Sequence, residues 1–234
     1  MNLSEQFCAV SFTHPLGCDA LGQDLLLRIF YGTLPTVGTA FLAVIISGVL
    51  GLIFGILTNV LPSPLERILL KIIDVFLAFP GLLLAILLAS LLPPSSASVL
   101  FCLSVTGWAP QARFVRVLFR KIWSMQNIEA AVALGASHQR IFIKEVWPNL
   151  ARPLLVLWTA TLSSMVLAEA SLSFLGLGGP LGQNSWGALI AEGRDYLIES
   201  PSLSLMPGIA LMIVVLAFQS LSQALGVCHH SSRG

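Results

Sequence analysis

Hydrophobic residues in this chain gather into long runs, and five of these reach membrane-spanning length. The first, residues 36–58, can cross about 30 Å of hydrocarbon at about 1.5 Å per residue. It carries Gly48, Gly51 and Gly55, and the last two, four positions apart, form a small-residue face suited to close helix packing. A loop over 59–67 with Pro62 and Pro64 follows. The second run, 72–92, is interrupted by Pro80-Gly81, which predicts a kink. Beyond a tight turn at Pro93-Pro94-Ser95-Ser96, the third run covers 97–118 and turns polar at its end, with Gln111, Arg113 and Arg116. The fourth is 153–175, with Glu169 inside it, and the fifth is 203–225.

Two stretches between the runs are too polar for a bilayer. The larger, 119–152, contains EAAVALGASHQRIFIKEVWPN from Glu129 to Asn149. Its Ala-rich start predicts a short helix over 129–134, and Gly135 offers the left-handed residue that would close it. Ser137 can cap a second helix carrying Ile141, Phe142, Ile143, Val146 and Trp147, with Pro148 marking its end. On pattern alone two uses stand equal: a surface of small side chains that another protein approaches, or an amphipathic loop packed on its own bundle. In the second stretch, 176–202, Trp186, Leu189, Ile190, Gly193 and Leu197 recur at helical spacing. Glu192, Arg194, Asp195 and Glu199 fall on other faces, so an external amphipathic helix is expected.

Composition supports a lipid environment. Hydrophobic residues make up 56% of the chain and charged ones 10%, with mean hydropathy +0.89. A soluble domain would carry roughly 25% charged residues. No basic stripe interleaved with aromatics occurs, so no nucleic-acid partner is expected. Cys8, Cys18, Cys102 and Cys228 make no C-x-x-C pair, and no disulfide framework is expected. Cys228-His229-His230 places metal-ligand types side by side near the chain end, which reads as incidental, and no metal site is expected. The chain has no Gly-Lys dipeptide, hence no P-loop, and neither H-E-x-x-H nor G-x-S-x-G.

The basic residues predict an orientation. With 119–152 on the cytoplasmic side, Arg67, Lys71, Arg113, Arg116, Arg120, Lys121, Arg140, Lys144, Arg152 and Arg233 lie inside, ten of the twelve Lys and Arg. Only Arg28 and Arg194 remain outside, a strong positive-inside bias. An extracytoplasmic segment 1–35, a membrane domain 36–225 and a cytoplasmic tail 226–234 follow. Asp74 lies one turn from Lys71, which predicts an ion pair between them. Glu169, well inside its run, carries an insertion penalty of about 2.5–3.5 kcal/mol and should face a cavity or a partner. It either lines a passage or makes a structural hydrogen bond near the outer face.

Glu129-Ala130-Ala131, three residues, Gly135, then twelve residues and Pro148 resembles the cytoplasmic loop of permease subunits in bacterial binding-protein-dependent ABC importers. There the loop is a coupling helix that docks into an ATPase subunit. The resemblance therefore implies docking through Glu129, Ala130, Ala131, Gly135, Ala136 and Pro148. Glu145 stands where the family usually has an apolar residue, and Trp147 where it usually has Leu. HPLGCDALGQDLLLRIFYG, from His14 to Gly32, resembles the lead into the second membrane helix of the dipeptide, oligopeptide and nickel branch. Cys18 replaces the usual Thr and Gln23 the usual Arg. AEASLSFLGLG, Ala168 to Gly178, is a family string whatever the substrate, which favours the structural reading of Glu169.

The resemblance covers about 13–225 and implies an all-α polytopic membrane fold, the type I importer permease fold. It implies a non-catalytic permease subunit of the cytoplasmic (inner) membrane, for peptides or nickel. Its partners would be a sister permease, two ATPase subunits holding ATP and Mg, and an extracytoplasmic substrate-binding protein. No cofactor would bind this chain. Family members usually carry one more membrane helix ahead of the HPLG string and an Asp-Pro-containing ending. A shortened paralogue or an upstream start would account for the difference. The alternatives are an assembly-only subunit without transport competence and a secondary transporter, which often shows inverted repeats and several intramembrane charges.

Overall fold

The computed structural model describes residues 6–12, 14–179 and 184–231, with side chains through Val227. Among these residues the regular structure is entirely helical. Helix α1 (Leu25–Thr33) starts at Asp24, whose carboxylate accepts the Leu26 and Leu27 N–H groups. A π-helical turn, Leu34–Gly38, runs straight into α2 (Thr39–Val60), so Leu25–Val60 is one 36-residue apolar stretch. The run therefore begins earlier than the sequence pattern suggests. Pro35 sits in the first turn of the widened segment, where its missing N–H breaks no α-helical ladder.

Helices α3 (Ser63–Ala78) and α4 (Gly81–Ser90) meet at an 87° bend, as Pro80-Gly81 predicts. Helix α5 (Ser96–Trp123) opens under Ser95, whose hydroxyl accepts the Ser98 N–H at 3.1 Å. Next come α6 (Gln126–Ala133), α7 (His138–Ile141), α8 (Trp147–Phe174), α9 (Trp186–Gly193) and α10 (Ser202–Ser231). Three helical stretches are long and apolar enough to span a membrane, and there are four if the bent pair is counted as one span. The remaining predicted span, α5, is a continuous 28-residue helix whose second half carries Arg113, Arg116, Arg120 and Lys121.

The chain divides into two compact units, each discontinuous in sequence. One comprises Met1–Ala43, Ala85–Leu103 and Leu162–Phe218. Its apolar centre is Leu25, Ile29, Trp186, Leu189 and Leu203. The other comprises Val44–Leu84, Ser104–Thr161 and Gln219–Gly234. Here the small-residue face of α2 packs against α5: a Cβ on Gly51 would stand 2.6 Å from the Gln111 Cβ, and one on Gly55 would stand 2.7 Å from the Ala112 carbonyl oxygen. A buried hydrogen bond from Gln111 Nε2 to Ser47 Oγ, 2.8 Å, pins the same contact.

Gly55→Leu is accordingly expected to destabilise the protein, because backbone atoms of α5 cannot yield as a flexible side chain would. Overpacking typically costs about 1–3 kcal/mol. Gly208→Ala, with nothing within 4 Å of the added Cβ, should be silent. Melting temperatures in detergent check the pair, and equal values for Gly55→Leu and the wild type would refute the close approach.

The charges of α5 have partners on α3. Glu66 accepts from Arg116 at 2.7 Å and from Arg120 at 2.8 Å, and Arg120 Nε also reaches Asn59 at 3.1 Å. Asp74 pairs with Arg113 at 2.9 Å and not with Lys71 as expected. Arg113 reaches Asp74 from α5, a cross-helix partner that spacing along α3 alone does not reveal. Both partners of that pair are more than half exposed, so it adds little stability.

Candidate functional site

The segment 126–150 forms a hairpin anchored on α5. Helix α6 closes with two hydrogen bonds, Gly135 N–H to Val132 O (3.0 Å) and Ala136 N–H to Ala131 O (3.1 Å), the paired bonds of a Schellman motif. Gly135 takes φ +78°, the left-handed conformation the sequence predicts. Ser137 then caps α7 by accepting the Arg140 N–H, also as predicted. Ile128, Ile141, Val146 and Leu150 are buried with Phe119 and Ile122 of α5, and this cluster anchors both arms. Asn127 Nδ2 donates to Glu145 Oε2 across the hairpin at 2.8 Å. Glu145, a polar residue at a position expected to be apolar, thus bonds within the hairpin.

One expectation about this segment is corrected. The second helix does not end at Pro148. A π-helical turn, Phe142–Val146, carries α7 directly into α8, and His138–Phe174 is one 37-residue apolar helical stretch. Pro148 is the second residue of α8, immediately after the widened turn. The loss of its N–H falls where the ladder is already relaxed. The hairpin is consequently continuous with a membrane-length helix.

The resemblance-derived docking residues separate in the structure. Glu129, Ala130 and Gly135 lie exposed along α6 and its turn, whereas Ala131 and Ala136 are half-buried against the anchoring cluster. Pro148 is exposed in the first turn of α8. Two residues outside the motif stand out beside Glu129: Val132 is 49% and Leu134 87% exposed, an apolar tip without cover. Next to it a cleft of about 770 Å³ is lined by Phe119, Arg120, Trp123, Glu129, Val132 and His138, among others. Trp123 stacks on Phe119 on one side and His138 on the other. A smaller cleft of about 330 Å³ is lined by Ala131, Leu134, Gly135, Ala136, Arg140 and Lys144, among others.

Glu169 is buried in α8, where its Oε1 accepts from Ser173 Oγ at 2.7 Å, one turn onward. Oε2 lacks a well-formed hydrogen bond, though the Thr36 hydroxyl approaches the same carboxyl. Thr36 in turn accepts the Trp186 N–H at 3.0 Å, so this acid belongs to a packed polar junction.

The segment around α9 is held tightly. Ser185 caps α9, Trp186 Nε1 donates to the Ile29 carbonyl at 2.8 Å, and Gly187 lies directly against the Ala170 backbone. Trp186, Leu189 and Gly193 are buried as the spacing predicts, but Leu197 is exposed. A 3₁₀ turn, Arg194–Tyr196, changes the period just before it.

Two groupings were not legible in the sequence. Arg28 is buried, with a forked pair of hydrogen bonds to Glu192 (3.0 and 2.8 Å) and another to Asp19 Oδ2. Cys8 and Cys18 form a disulfide, contrary to expectation, with His14 close by. Hydrogen bonds from Cys18 N–H to Cys8 O (3.3 Å) and from Phe7 N–H to Asp19 O (3.2 Å) bring the pair together; no local motif announces either. Cys228, His229 and His230 lie outside the residues whose side chains are described.

All regular structure among the described residues is helical, and several stretches are long and apolar enough to cross a membrane, which is the architecture of a multi-span membrane protein. Residues 47–226 match the family described as "Binding-protein-dependent transport system inner membrane component", and the chain belongs to that family. It is thus an ABC importer permease subunit of the inner membrane. It is 36% identical over 213 residues to a putative peptide transport system permease protein of Brucella suis, covering 91% of this chain and 71% of that protein. It is 31% identical over 215 residues to the glutathione transport system permease protein GsiD of Pectobacterium atrosepticum, covering 92% and 71%. With the dipeptide transport system permease protein DppC of Alkalihalophilus pseudofirmus the identity is 30% over 224 residues, covering 96% and 74%. In fold it is similar to a chain of the MetNI methionine ABC transporter in an inward-facing conformation, with TM-score 0.66, 21% identity, and coverage of 86% of this chain and 95% of that one.

Proposed function

We propose that this chain forms half of the translocation path of a peptide importer and takes its energy from an ATPase subunit docked on α6. One observation carries the docking half of the reading. Val132 and Leu134 are exposed beside Glu129 on an element whose other face is anchored, and apolar tips on a water-side hairpin call for a partner surface. The peptide half rests on relatives named for peptide, dipeptide and glutathione transport, which favours peptides over nickel. ATP and Mg belong to the ATPase subunits, and this chain binds no nucleotide. A sister permease supplies the other half of the path, and an extracytoplasmic binding protein delivers the substrate. Closure of the ATPases would pull on the hairpin, and the continuous helical stretch His138–Phe174 would carry that displacement onward.

Co-expression with its operon neighbours tests this. The chain alone should hydrolyse no ATP and should copurify with a sister permease and ATPases. The complex in vesicles, given its binding protein, should import a dipeptide or oligopeptide and not nickel. Transport by the single chain would overturn the ABC mechanism. An assembled complex without peptide uptake would favour an assembly-only role.

A further inference from the structure

We propose that Cys8, His14 and Cys18 are a switchable metal site, closed by the disulfide and open to a thiophilic d¹⁰ ion, Zn²⁺ or Cu⁺, once a dithiol reductant cleaves that bond. The ligand atoms of the three residues lie within 4.8 Å of one another. Two thiolates and an imidazole form a set that suits these ions and no hard cation.

Three features argue that the site outlives the disulfide. First, the backbone holds the two cysteines side by side independently of their sulfurs. Phe7 N–H donates to Asp19 O at 3.2 Å and Cys18 N–H to Cys8 O at 3.3 Å, on either side of the pair. Gly17, at φ +81°, makes the turn that allows this, and a Cβ there would stand 2.8 Å from the Cys8 carbonyl oxygen. Second, His14 is already held in place. Its Nδ1 meets Asp24 Oδ2 at 3.0 Å, and Asp24 is itself fixed, because its Oδ1 caps α1. With Nδ1–H donating to the carboxylate, Nε2 keeps its lone pair for a metal, the carboxylate–histidine arrangement common behind metal-bound imidazoles. Third, Cys8 and His14 are only half-buried, which leaves an entry path, while Cys18 is buried.

The chemistry balances without other reactants. The dithiol is oxidised to its own disulfide, and Cys8 and Cys18 are reduced to thiols. On binding, the ion displaces both thiol protons to solvent. Two sulfurs on one tetrahedral ion stand about 3.8 Å apart for Zn–S bonds of about 2.3 Å. The two sulfurs must therefore separate from bonding distance, while their Cα atoms stand 4.9 Å apart in the disulfide form. Disulfide and metal then exclude one another.

The test uses the full chain in detergent with Cys228→Ser, His229→Ala and His230→Ala as background, so that the tail cannot bind. After reduction and anaerobic desalting, this protein should bind one equivalent of Zn²⁺. With Co²⁺ as a probe it should show thiolate-to-cobalt charge-transfer absorption. The oxidised protein should do neither. Cys8→Ser, Cys18→Ser and His14→Ala should each remove tight binding. Asp24→Asn, which preserves the helix cap, should weaken binding about 10- to 100-fold. If the reduced protein binds no more Zn²⁺ than the oxidised one, or if His14→Ala and Cys18→Ser leave binding intact, the proposal fails.

Discussion

Gly135→Val is expected to insert at normal levels yet abolish substrate-stimulated ATP hydrolysis and uptake in the assembled importer. Gly135 holds φ +78° at the end of α6, and beyond its chain neighbours nothing lies within 4 Å of the position its Cβ would take. The expected effect is therefore one of backbone strain rather than of a Cβ clash. A β-branched residue in that conformation costs more than about 1–2 kcal/mol. The chain can relieve the strain by opening the two closing bonds of α6, which re-aims Glu129, Val132 and Leu134. Gly135→Asn, tolerant of left-handed φ, should be far milder. Glu129→Lys should act in the same direction as Gly135→Val by reversing a charge on the exposed face. ATPase activity and uptake per assembled complex decide the matter. Reduced membrane levels with normal activity per molecule would mean that the hairpin only packs on its own bundle.

The features that allowed this argument were legible in the sequence because each is local. The left-handed glycine, the Ser137 cap, the bend at Pro80-Gly81 and the glycine face of α2 are all decided within a turn or two of the residues that signal them. Proline misled at Pro148. There the helix continues, because a π-helical turn beside it accommodates the missing donor, as another does at Pro35, and such widening has no residue signature. Partner choice was the least legible. Asp74 finds Arg113 across 39 positions and Arg28 finds Glu192 across 164, and nothing in the periodicity of either segment encodes the other. Within the candidate site, the motif identified α6 but not the apolar tip at Val132 and Leu134, nor which alanines would be turned inward.

Arg28→Met is expected to loosen the lead segment before α1 and α9 together, with a loss of about 3–5 kcal/mol, the usual consequence of removing one partner from a buried charge cluster. Side-chain exposure is 6% for Arg28 and 1% for Asp19, so neither can turn to bulk water when the other is removed. Asp19 is needed elsewhere too: its Oδ1 accepts the Leu21 and Gln23 N–H groups at 2.8 and 2.7 Å and shapes the turn before α1. Leaving its Oδ2 without a cation should therefore destabilise that turn, and freeing Glu192 should release α9. Arg28→Lys should recover only part of the loss, since one ammonium cannot reproduce the fork to Glu192 while reaching Asp19. Adding Asp19→Asn and Glu192→Gln to Arg28→Met removes the stranded charges but keeps the Asp19 Oδ1 acceptor. That triple variant should melt well above Arg28→Met alone. Hydrogen exchange at Leu21, Gln23 and Leu189, with melting temperatures for the series, reads both effects. If the triple variant is no better than the single one, the contribution of Arg28 lies in packing rather than in charge.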